Sequence, residues 1–274
     1  MTYAAILVHV QPDDRARPRL DCAVDLSRRF GATLIGLAAE MVPPMAPNDG
    51  FYAVQGGWFE AINANLEANL KKAHAVFDSA TTGLTPAPIW RTAFKVPGEA
   101  MADASRGADL IVGSLAQAGH EESYHDAAPA RMVITAGRPV LLAPSKAKPL
   151  SGSRVLIAWK DTREARRALS DALPFLKAAK QVLVLEVCGR DESDDAVART
   201  GDVAAALSRH GVSAAEKVVC AGSAGRVIGE EAEAYGADLV VAGAYGHSRL
   251  GEWVFGGVTR DLMTQDQRYV LLSH

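Results

Sequence analysis

Short apolar runs, many of them β-branched, alternate along this chain with longer segments whose apolar positions recur every three or four residues. The pattern is clearest from residue 153 onward. RVLIAW reads as a strand, DTREARRALSDALPFLKAAK as a helix, and QVLVLEV as a second strand. DDAVARTGDVAAALSRHG predicts a second helix ended by Gly211, and VSAAEKVVC a third strand. SAGRVIGEEAEAYG predicts a third helix with Ser223 as its N-cap. DLVVAG, a helix around 256–265 and RYVLLS complete the series. The first, second and fourth runs are continuously apolar rather than alternating. That pattern means burial on both faces, hence a parallel sheet covered by helices. Right-handed crossovers then wind the sheet in both directions, and ligands of such sheets bind at the carboxyl ends of the strands.

The pattern occurs twice. GADLIVG at 107–113 returns as GADLVVAG at 236–243, PVLLAP at 139–144 as YVLLSH at 269–274, and AAILVHV at 4–10 as SRVLIAW at 153–159. The spacing predicts two tandem α/β domains, residues 1–146 and 152–274, joined by the linker SKAKPLSGS at 145–153. The first copy carries extra chain between its first and fourth strands, and MVPPMAPNDGFYAVQGG at 41–57 is the candidate insertion. A helix over 60–78 follows, with Ile62, Leu66, Leu70, Ala73 and Phe77 on the face that packs on the sheet. Tyr52, Trp58 and Phe59 fill core beneath the insertion or cover a pocket.

A length of 274 residues suits two domains. The net charge of −3, with neither half basic, argues against duplex nucleic acid as a partner. No apolar stretch approaches a membrane span, and the N-terminus lacks the features of a signal peptide, so a soluble cytoplasmic protein is expected. Cys22, Cys188 and Cys220 are odd in number and widely spaced, which predicts buried thiols rather than a disulfide framework.

The segment after the fourth strand of the second copy carries the candidate chemistry. In GAYGHSRLGEWVFGGVT, Gly243 and Gly246 let the backbone approach a ligand, and Gly256 and Gly257 open the last helix, where bare N–H groups can face an anion. Thr259 adds a donor or a cap. Arg249 reaches a phosphate or is solvated. The pattern Gly-x2-Gly-x9-Gly, between an ADLVV strand and a closing VLL strand, resembles the ATP-binding branch of the universal stress protein family, and its tandem bacterial members in particular.

The resemblance implies a Rossmann-like fold of the adenine nucleotide alpha hydrolase type, with five parallel strands per copy. It implies ATP across the strand ends, Mg²⁺ on the phosphates, a role in stress response, and dimeric or pseudo-dimeric association. On this resemblance Gly243, Gly246, Gly256, Gly257 and Val258 hold phosphates and ribose, while Ala158, Lys160 and Val187 flank the base. Two positions depart from the family pattern. Lys160 stands where an Asp usually meets the nucleoside, and a lysine cannot accept hydrogen bonds from it. Gly257 stands where Ser or Thr usually follows the third glycine.

The first copy keeps Gly113, but Ala116 replaces the second glycine and no glycine pair opens its last helix. Its loop carries Glu121, Glu122 and Asp126, which repel phosphate, and its first strand ends in Gln11-Pro12. This copy is expected not to bind ATP in the family's manner. His120, Glu121, Glu122, His125 and Asp126 match no metal spacing and read as a solvated loop. His9 reads as a hydrogen-bonded core histidine. No catalytic motif is present, so a binding module without efficient catalysis is the leading expectation. A ligand-free interaction scaffold and an enzyme related to adenylate-forming α/β proteins are the alternatives.

Overall fold

The computed structural model describes residues 2–12, 16–42, 58–115, 127–146, 149–246, 257–264 and 267–274. The apolar runs form ten strands: β1 (Ala5–His9), β2 (Thr33–Glu40), β3 (Ile89–Phe94), β4 (Leu110–Ser114), β5 (Val140–Ala143), β6 (Arg154–Trp159), β7 (Gln181–Cys188), β8 (Ala215–Cys220), β9 (Leu239–Gly243) and β10 (Tyr269–Ser273). The helices described are α1 (Ala16–Phe30), α2 (Trp58–Thr81), α3 (Pro97–Ala104), α4 (Pro129–Thr135), α5 (Arg163–Asp171), α6 (Leu173–Ala178), α7 (Ser193–Arg209), α8 (Ala224–Tyr235) and α9 (Gly257–Thr264). None of the described helices is long and apolar enough to cross a membrane.

All ten strands belong to one sheet, in the order β3-β2-β1-β4-β5-β10-β9-β6-β7-β8. Within each half the pairings are parallel. The halves meet at β5 and β10, which pair antiparallel with Leu141 opposite Leu271. The two expected five-stranded sheets are thus continuous. Each copy leaves one short, fully buried apolar strand at its margin, and pairing the two margins satisfies backbone groups that a buried edge would orphan.

Helices cover both faces. Leu7, Ile111, Leu156, Val240 and Leu271 are fully buried, which matches continuous apolar runs. α7 buries Ala196, Thr200, Val203 and Leu207, a stripe at helical spacing. α2 extends beyond the expected helix and buries Leu66, Leu70, Ala73 and Phe77, with Ile62 half-buried. Phe77 lies against Gly36, where a Cβ would stand 2.5 Å from its ring. The single helix expected over 161–180 is two, because Pro174 opens α6 and cannot donate to the preceding turn.

Three local expectations need correction. Ser223 occupies the N-cap of α8 but its hydroxyl makes no capping bond. Cys22 and Cys188 are buried, whereas Cys220 is exposed, because β8 is the outer strand of the sheet. His9 is buried, yet its Nε2 has no hydrogen-bond partner among the described residues.

Candidate functional site

From β6 the chain runs outward to β7 and β8, then returns to β9 on the other side of β6. Strand order reverses there, and the adjacent loops diverge to leave a crevice at the carboxyl ends. A cavity of about 450 Å³ occupies it. Ala158 and Trp159 line it from β6 with Lys160 just past the strand end, Val187 from β7, and Ala224 and Ile228 from α8. Gly243, Tyr245 and Gly246 line it after β9, and Gly257, Val258 and Thr259 at the start of α9. Eight residues singled out in the sequence therefore meet in one place: Ala158, Lys160, Val187, Gly243, Gly246, Gly257, Val258 and Thr259. Arg249 and Gly256 lie outside the described residues.

The glycines differ in what their missing side chains make room for. A Cβ at Gly243 would stand 2.4 Å from Ala165 N and 2.7 Å from the Glu164 carbonyl carbon. Its bareness therefore lets the first turn of α5 close on the strand end, a packing role beside its place in the cavity lining. A Cβ at Gly246 would stand 2.8 Å from Glu164 Oε2 and 3.2 Å from Thr162 Oγ1. At Gly257 a Cβ would meet nothing within 4 Å among the described residues.

The turn between these glycines is partly closed on itself. Tyr245 has a φ of 60°, and is the one non-glycine residue with positive φ among those described. Ala244 N donates to Ser273 O at 2.9 Å, and Tyr245 N to Thr259 Oγ1 at 3.4 Å. Thr259 thus ties α9 to the turn by accepting from Tyr245 N, while its own O–H remains a donor. The amides open to a ligand are consequently fewer than four bare turn residues would give. The first N–H groups of α9, from Gly257 onward, have no intrahelical acceptor.

Electrostatics around the cavity is mixed. Lys160 Nζ lies 3.5 Å from Glu192 Oε2 and 4.0 Å from Glu186 Oε1. Glu186 is fully buried and is held by Arg199, whose Nη2 donates at 2.6 Å. A buried carboxylate needs such a partner, and Arg199 on α7 supplies it. Near Gly246, Glu164 is buried at the start of α5. Burial pushes its carboxyl up, but hydrogen bonds from Arg163, its own backbone and Thr162 prevail and hold it below the ordinary carboxylate range.

Sequence reasoning missed Trp159, Thr162, Glu164, Tyr245 and the two α8 residues Ala224 and Ile228. Thr162 had a readable signal. It is the N-cap of α5, its side chain accepting from Ala165 N at 3.2 Å, and it precedes a helical pattern as N-caps do. Nothing local in the sequence marks the α8 residues.

In the N-terminal half the equivalent strand ends are bridged by Arg19 from α1. Its Nε donates to His9 O at 2.6 Å, its Nη1 to Ser114 Oγ at 2.9 Å and its Nη2 to Gln11 Oε1 at 2.6 Å. A Cβ at Gly113 would stand 2.7 Å from Met132 Cε, so that glycine serves helix packing. Ala116 and the polar cluster from His120 to Asp126 lie outside the described residues, as do Tyr52 and the side chains of Trp58 and Phe59.

Residues 153–267 match the model of the Universal stress protein family. The match lies wholly within the C-terminal half. No curated protein matches the sequence. Among solved structures, a universal stress protein from Archaeoglobus fulgidus DSM 4304 aligns over 98% of this chain and 98% of its own, at 15% identity and a TM-score of 0.70. A functionally unknown protein from Pseudomonas aeruginosa PAO1 aligns over 99% of this chain and 92% of its own, at 16% identity and a TM-score of 0.61. At such identities the likeness concerns the fold, and it extends across both halves. The matched residues contain the whole described lining of the cavity, from Ala158 to Thr259.

Proposed function

We propose that the universal stress protein domain binds ATP in the cavity between the ends of β6 and β9, and that the chain is a nucleotide-responsive stress-protein module without efficient catalysis. The observation that carries this reading is the convergence of Gly246, Gly257 and Val258 with apolar walls from Ala158, Val187 and Ile228 around one 450 Å³ space. Apolar walls suit a base, and the start of a helix suits an anion. Among the described residues nothing crowds Gly257, which leaves phosphates room beside the first amides of α9. Lys160 contributes positive charge at the rim, shared with Glu186 and Glu192.

Glu164 bears on the form of the ligand. An ionised carboxylate beside Gly246 repels a bare polyphosphate, so a magnesium-complexed nucleotide fits better than a free one. Mg²⁺ bound to the phosphates would neutralise charge there, with the chain holding the nucleotide by its amides and walls. Calorimetric titration with ATP and Mg²⁺ tests the reading. One site per chain is expected, with weaker binding when EDTA removes the metal, and Glu164→Gln is expected to narrow that difference.

Two observations favour a second reading, a ligand-free scaffold. Lys160 is already paired with carboxylates, and the amides of Ala244 and Tyr245 are already satisfied. Absence of heat at high micromolar MgATP would decide for the scaffold.

A further inference from the structure

Cys188 ends β7 and Cys220 ends β8, and the two are register partners across this parallel pair. Register partners point to the same face of a sheet. Their Sγ atoms stand 3.8 Å apart. Ala221 N donates to Cys188 O at 3.1 Å, so the backbone is still tied just past the pair. Paired strands run about 4.8 Å apart, inside the Cα separation of about 4.4–6.8 Å that a disulfide spans. Rotation about the side-chain bonds, with a slight approach of the two strand ends, can therefore join the sulfurs. The two differ in access, Cys220 being exposed and Cys188 buried. Burial first, then the contact with Cys220 and the charges of Glu186 and Glu192, push the Cys188 thiol up. Cys22 is elsewhere in the core, and burial pushes its thiol up to about 12.

We propose that Cys188 and Cys220 form a reversible dithiol–disulfide redox site at the carboxyl edge of the sheet, oxidised by a low-molecular-weight disulfide. Cys220, as thiolate, attacks one sulfur of the reagent. The reagent's S–S bond breaks, one thiolate leaves and takes up the proton Cys220 released, and a mixed disulfide remains on Cys220. Cys188 then loses its proton and attacks the Cys220 sulfur, expelling the second thiol, which carries that proton away. Two electrons pass from the cysteine pair to the reagent, and a dithiol reverses the sequence. The exposed member gives the oxidant its entry and the buried member resolves the adduct. The bond would join the segments leading into α7 and α8. It would lie next to Val187, which lines the cavity, and four residues short of Ala224 on the same cavity.

The test uses the full-length protein in buffers of varied reduced-to-oxidised glutathione ratio, quenched in acid, alkylated, digested and mapped by mass spectrometry. The expected product is one chain lighter by two hydrogens, with Cys188 and Cys220 in a single linked peptide pair. Cys22 should stay free, and dithiothreitol should restore both thiols. Cys188→Ser is expected to trap glutathione on Cys220. A wild-type protein that keeps glutathione on Cys220 while Cys188 remains a thiol, or that links only through Cys220 of two chains, overturns the proposal.

Discussion

A methyl group added at Gly243 would meet Ala165 N at 2.4 Å and the Glu164 carbonyl carbon at 2.7 Å, backbone atoms that cannot swing aside. One added at Gly257 would meet nothing within 4 Å among the described residues. Both glycines belong to the same sequence pattern, so side-chain identity alone cannot separate a packing glycine from one that borders open space. Gly243→Ala must push α5 off the strand end and is expected to cost about 1–3 kcal/mol, the usual penalty of overpacking. Gly257→Ala, at an exposed helix start, is expected to stay within about 0.5 kcal/mol of the wild type. Urea unfolding midpoints of the two variants check the contrast. Equal losses would overturn the contrast between a packed and an open glycine.

At the scale of elements, strands were legible because burial on both faces demands uninterrupted apolar runs such as VLIAW and DLVV. Helices were legible from their stripes, as α7 shows with Ala196, Val203 and Leu207. What was not legible depends on contacts between elements distant in the chain. The approach of α5 to Gly243 and Gly246, and the placement of Ala224 and Ile228 across the cavity, leave no local trace. The junction of β1, α1 and β4 is of the same kind. Arg19 reaches across it to His9 O and Ser114 Oγ, and His9 is sealed beneath with Nε2 unpartnered. Burial first, and the Arg19 charge second, hold the His9 imidazole well below its ordinary value of 6.5. The unfolded chain therefore binds a proton here that the folded chain refuses. Stability contributed by neutral His9 is complete above pH 6.5 and is lost as pH falls from there toward the depressed folded value. The loss approaches about 1.4 kcal/mol per pH unit. Unfolding midpoints between pH 7.5 and 5 should fall more steeply for the wild type than for His9→Leu, and parallel curves would show that His9 is protonated in the folded protein.

At the scale of the molecule, the antiparallel pairing of β5 with β10 makes two copies of one pattern into a single sheet, and its helical covers cross the same junction. Tyr3 of the first half packs edge-on to Phe30 at 5.1 Å and against Phe175 of the second half at 5.6 Å between ring centroids. Phe30 meets Phe175 edge-on at 5.4 Å, and the Tyr3 hydroxyl donates to Asp171 O at 2.6 Å. Ser273 Oγ donates to Asp171 Oδ2 at 2.8 Å, so the end of α5 is bound both to the first half and to β10. Phe175 is fully buried within a cluster that holds Leu20 and Phe77 from one half and Val203 and Leu239 from the other. Neither half can lose this aromatic without exposing a cavity to its partner. Phe175→Ala is expected to cost about 3–5 kcal/mol and to lower the stability of both halves together. The check is unfolding followed by two probes: amide exchange at β1 and β2 for the first half, and at β6 and β7 for the second. Coincident transitions in wild type and variant mean that the copies fold as one cooperative body through Tyr3, Phe30, Phe175 and the β5–β10 pair. A variant in which β6 and β7 open while β1 and β2 remain protected would mean that the shared sheet joins two units of independent stability.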